Sequence, residues 1–141
     1  MTNHEAISAL NQLLGVVCRS LPLYLANARP WSRLGSWKAQ RALDRVVFDG
    51  NLYTVRLAME IDRLGGASDC SQFPAEFTAK NDLAVKFLIP EIIEHLKSDA
   101  VEIERIATQL ENDPALHALA TEILGNAKGH VDVLKRLAND E

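Results

Sequence analysis

DPALHALATEILGNAKGHVDVLKRL, residues 113–137, is the stretch whose reading decides the fold. Asp113 before Pro114 is a strong helix start. The aspartate can accept a backbone N–H, and proline at the first helical position gives up a donor that would have no partner there. Leu116, Leu119, Ile123, Ala127, His130, Leu134 and Leu137 then recur at spacings of three and four, a single stripe of a helix. One member of that stripe, His130, is a polar side chain on a face that should turn inward.

Working back from Asp113, a third predicted helix ends near Leu110 and starts at about Asn81, with a bend expected at Pro90. Its stripe is Ile89, Ile93, Leu96, Ala100, Ile103, Ala107 and Leu110, flanked by His95, Asp99 and Glu102. Before it, residues 67 to about 80 form a long connection, with Phe73 and Phe77 expected to pin it to the body of the protein. The second helix is capped by Ser36 and stopped by Gly65-Gly66 near Leu64. Its core stripe is Leu43, Val46, Gly50, Tyr53/Thr54, Leu57, Ile61 and Leu64; a second stripe is Phe48, Leu52, Val55 and Met59. The first helix runs from about residue 3 to about 28, opened by a Thr2/Glu5 capping box and kinked by Pro22. It too has two stripes: Ile7, Leu10, Leu14, Val17, Leu21 and Tyr24, and beside them Leu13, Val16 and Leu23. The connections run short, long, short. That order predicts an all-α four-helix bundle, two antiparallel hairpins joined by one long crossover, in a single domain over residues 1–141.

Composition narrows the function classes. The chain of 141 residues is 48% hydrophobic and 24% charged, as globular domains are, with a net charge of −4. No Lys/Arg cluster follows the pattern of a phosphate backbone, so nucleic acid is not an expected partner. No basic segment precedes an apolar core at the start, and no run approaches 18 apolar residues, so neither a secretory leader nor a membrane span is expected. A cytoplasmic location follows, with Cys18 and Cys70 expected as two reduced thiols rather than a disulfide framework or a zinc set.

The run from Glu122 to Asp132, EILGNAKGHVD, together with Leu10-Asn11, Tyr24 and Ala28-Arg29, resembles the bacterioferritin branch of the ferritin-like family. The resemblance implies a bundle whose di-iron site takes a Glu from each of two helices and a Glu-x-x-His from each of the others. Carried across, the ligand positions fall on Val17, Gly50, Tyr53, Ala127 and His130. The sixth falls at Glu94 by an ungapped count, whereas the apolar period centres on Leu96. The chain has no Glu-x-x-His: the residues three before His4, His95, His117 and His130 are Met1, Ile92, Pro114 and Ala127. At least four of the six ligands are lost, so the di-iron site is degenerate and reads as filled in. The family's haem-binding Met corresponds to Asn51, so no haem is expected. Nor is a 24-subunit cage, because the chain stops at Glu141 without the fifth helix that such cages use.

His130 remains the sharpest candidate. Counted from a turn near residue 112, His95 lies 17 residues before and His130 18 after, so the two are level. His130, His95 and Asp99 could hold a single divalent metal ion such as iron, with metal-handling or oxidoreductase activity. Otherwise His130 is a core histidine bonded to Asp99, Tyr24 or Tyr53, and the protein has no cofactor. Trp31 and Trp37, with Arg29 and Arg33, either form a recognition patch or cap an end of the bundle. The first expectation is a non-catalytic bundle acting through binding or assembly, as a homodimer joined through the second stripes of its first two helices. Phe73 and Phe77 could instead cover that face. A small-molecule binder using the vacated interior between Gly50 and Ala127 is a further alternative.

Overall fold

A computed structural model describes residues 1–28, 37–70 and 85–139. Those residues form five helices and no strand: α1 (Asn3–Cys18), α2 (Leu21–Ala28), α3 (Trp37–Arg63), α4 (Val85–Gln109) and α5 (Pro114–Asn139). The protein is therefore all-helical, as expected. The expected contributions of Ser36 and Asn81 as caps, and of Trp31, Phe73 and Phe77, lie outside the described residues.

The local signals act where the sequence puts them. Thr2 Oγ1 accepts from the Glu5 amide at 3.1 Å, and Glu5 reaches back to the Thr2 amide at 3.4 Å. Asp113 Oδ1 accepts from the Leu116 amide at 3.2 Å, capping α5 ahead of Pro114. α3 ends in a left-handed residue, Gly65 at φ 86°. There the Gly66 amide reaches the Ile61 carbonyl and the Gly65 amide the Asp62 carbonyl, each at 2.9 Å. This paired closure satisfies two end carbonyls of the helix.

The first predicted helix is two helices rather than one bent helix. Pro22 has no N–H to offer the Cys18 carbonyl four residues back, so the ladder fails there. Ser20 supplies a fresh cap, its hydroxyl accepting from the Leu23 amide at 3.5 Å, and α2 starts anew. Pro90, by contrast, is held inside α4.

α4 packs on α5, and α1 on α3; α1 also meets α4, and α3 meets α5. Ile7 lies against Gly66, so the end of α3 sits beside the start of α1. The buried side chains form two clusters stacked along the molecule. One gathers Leu10, Leu14, Leu57, Ile61, Ile106 and Leu116. The other gathers Leu21, Leu25, Leu43, Ile92 and Leu134. Because α3 ends in the first and α4 begins in the second, they end and begin at opposite ends of the protein.

Two expectations change. Cys18 and Cys70 are not separate thiols: they form a disulfide, with Cα atoms 6.1 Å apart. Asn11 brings them together. Its side-chain amide donates to the Ala67 carbonyl at 3.0 Å and its oxygen accepts from the Asp69 amide at 2.9 Å, laying the segment after α3 along α1. The second stripe of the first helix is also not a free face. Leu13 is fully buried and Leu23 nearly so, because the restart at Ser20 turns Leu23 against Gly50. No helix among the described residues is long and apolar enough to cross a membrane.

Candidate functional site

The two apolar clusters meet at a polar waist. Asp49 of α3 lies there at 7% exposure, and α5 brings two side chains to it. His130 Nε2 and Asn126 Nδ2 each lie 2.8 Å from Asp49 Oδ2. Arg45, one turn back on α3, places its Nε 3.3 Å from Oδ1. A buried carboxylate is costly unless paired and hydrogen-bonded, and here both oxygens are engaged.

One turn along, a second link joins the same helices. Tyr53 donates its hydroxyl to Glu122 at 2.8 Å, and Arg56 meets the same carboxylate at 2.6 Å, with its guanidinium 5.4 Å from the Tyr53 ring centre. Burial first, then the bond to Glu122, pushes the Tyr53 phenol up to about 12. Glu122 is held below the usual carboxylate range by Arg56 first and Tyr53 second. Glu122, Asn126 and His130, spaced four apart, are thus the edge of α5 that faces α3.

That spacing explains where His130 goes. Counting from the turn between α4 and α5 gives height along the bundle but not the direction in which a side chain points. His130 is turned toward α3, and its partner is Asp49 rather than Asp99, Tyr24 or Tyr53. His130 and Asp99 do line one small cavity of about 50 Å³; His95 lies outside it. Among the described residues no three His, Cys, Asp or Glu side chains are grouped to hold a metal ion.

Five of the positions singled out by the family resemblance, Val17, Gly50, Tyr53, Ala127 and His130, converge on that cavity. At the sixth, Glu94 faces solvent beside Lys97 while Leu96 lines the cavity. The space is largely closed by apolar atoms. A Cβ on Gly50 would come within 2.7 Å of Leu23 Cδ1. What is left has room for a water or two and not for a metabolite. Asp99 also borders it, and burial alone pushes that carboxyl up to about 7. The arrangement is a hydrogen-bond network that ties α3 to α5.

Asp49 was not among the residues that sequence reasoning selected. The signal was present: it stands three after Val46 and four before Tyr53, in the inward phase of the core stripe.

The other candidate surface is on α3. Phe48, Leu52, Val55 and Met59 are 61, 48, 57 and 66% exposed. They follow one another at four, three and four residues, the spacing of a helix–helix seam.

No family model, curated protein or solved structure matches this chain.

Proposed function

We propose that this chain is a ferritin-like four-helix bundle whose di-iron site has given way to packed core, and that it acts through homodimer assembly and binding rather than catalysis. α1 and α2 count together as the first helix of the bundle, and the connection from α3 to α4 as its crossover. Support for the fold comes from the convergence of Val17, Gly50, Tyr53, Ala127 and His130 on one small cavity. The crossover is supported by α3 ending in one core cluster and α4 beginning in the other.

The observation that carries the assembly reading is the exposed α3 seam, which is complementary to itself when run antiparallel. About a twofold axis between Leu52 and Val55, Leu52 meets the second copy's Val55 and Phe48 meets its Met59. In the next layer outward Arg45 meets Asp62, which is exposed and makes no ion pair among the described residues. A twofold interface needs this self-matching, and it removes an apolar strip from water. The dimer face is therefore α3 against α3, narrower than the face first expected from two helices.

Light scattering on a size-exclusion column tests it. The expected mass is twice 15.6 kDa at micromolar concentration. Leu52→Glu should give monomer and Asp62→Arg a weaker dimer. A wild-type monomer would reject the reading.

A single divalent ion such as iron is the second reading, favoured by Asp99 and His130 bordering one cavity. Stoichiometric metal in protein purified without chelators would promote it. The disulfide weighs toward an oxidising setting and away from the cytoplasmic location that the sequence suggested.

A further inference from the structure

A groove of about 860 Å³ runs between the first half of α3 and the last half of α5. It lies beside the small cavity at the waist, with Asn126 and His130 between the two, and falls within the size range of small-ligand sites. Its apolar part is Phe48 of α3, which also belongs to the α3 seam, with Val133 and Leu137 of α5; in the single chain Phe48 and Val133 are 61 and 39% exposed. Along its rim α3 sets Lys38, Arg41 and Arg45 at spacings of three and four, with Asp44 the one carboxylate lining it among the described residues. Arg45 pairs through its Nε with Asp49. Lys38 and Arg41 have no ion pair among the described residues; Lys38 lies 5.9 Å from the Trp37 ring centre.

Like charges at these spacings repel one another, and an anion set between them removes the repulsion. The apolar wall alongside has no use for a fully hydrated anion. Together they select a molecule with a charged head and an apolar tail. We propose that the α3/α5 groove binds an amphipathic anion of the alkyl carboxylate or alkyl phosphate class, its head on Lys38 and Arg41 and its chain along Phe48, Val133 and Leu137. A guanidinium presents paired donors that match either head group, which is why both belong to the class.

The test uses the full chain with Trp31→Phe, so that emission reports Trp37 at the groove. Dodecanoate, dodecyl phosphate and dodecanol are titrated below their aggregation concentrations, with calorimetry alongside. The expected result is saturable binding of one or both anions at micromolar concentration and at least tenfold weaker binding of dodecanol; the stronger anion identifies the head group. Lys38→Glu/Arg41→Glu should weaken the anion at least tenfold, and Val133→Glu should abolish it; both variants are checked for an unchanged circular dichroism melt. If either does not fold, Lys38→Gln/Arg41→Gln and Val133→Ser replace them with the same expected order. Equal binding of dodecanol and anion, or anion binding unaffected by the Lys38/Arg41 changes, would overturn the proposal. So would no binding at all. Leu52→Glu keeps this separate from the dimer. Binding kept in that monomer supports the groove, while binding lost with it places the ligand in the seam between copies and overturns the assignment.

Discussion

At Asp49 three donors from two helices converge on one buried carboxylate. His130→Ala should remove one of them and leave a gap beside the charge. The expected loss is about 1–3 kcal/mol of unfolding free energy, measured by urea titration, with no change in bound metal. A fall in metal content with the fold intact would instead make His130 a ligand. Asp99 gives a prediction of opposite character. Its carboxyl is lifted by burial from 3.8 to about 7, so between those values the folded chain binds more protons than the unfolded one. The stability that Asp99 contributes then falls as pH rises through that window and levels off above it. In chelator-treated protein, Asp99→Asn should flatten this slope and gain about 1–3 kcal/mol at pH 8. A pH profile the same as wild type would contradict it. That His130 turns inward is legible in the sequence because periodicity fixes the face of a helix. Its partner is not, since counting from a turn gives height and leaves rotation open.

Among the elements, starts and stops are the legible part, because they depend on residues within one turn of each other. The Thr2/Glu5 box, the Asp113-Pro114 start and the Gly65-Gly66 stop all act as their residue types dictate. The break at Ser20 is only half legible. Pro22 announces a defect, but whether a helix bends or restarts depends on the cap available, and Ser20 supplies one. The restart also turns Leu23 inward, so the apparent free stripe of the first helix is core. Two glycines make a test of opposite signs. Gly65→Ala puts a side chain at φ 86° and should cost about 1–2 kcal/mol. Gly125→Ala adds a Cβ that meets nothing within 4 Å in the interior of α5, and should stabilise by about 0.5–1 kcal/mol. Thermal melts of the pair decide it; shifts of the same sign would sink the argument.

For the molecule as a whole, the sequence is least informative where contacts are far apart along the chain. Cys18 and Cys70 are 52 residues apart, and no local pattern marks them as a pair. Their meeting depends on Asn11 holding the Ala67 and Asp69 backbone, a contact with no periodic signature. Reduction, or Cys70→Ser, should lower stability by about 2–4 kcal/mol, read from denaturant midpoints with and without reductant. Unchanged midpoints would mean that the bond constrains nothing.

The same bond makes residues 18–70 a closed covalent ring that holds α2 and α3, with α1 as one tail and α4 and α5 as the other. One peptide cut anywhere between Cys18 and Cys70 opens the ring without dividing the molecule. A protease that nicks the link between α2 and α3 would yield a species that keeps full mass until a reductant is added and then separates into two chains. Cleavage after Cys70, in the link to α4, frees a fragment at once. The connections on either side of α3 are therefore unequal in consequence: a cut in one is held together by the disulfide and a cut in the other is not.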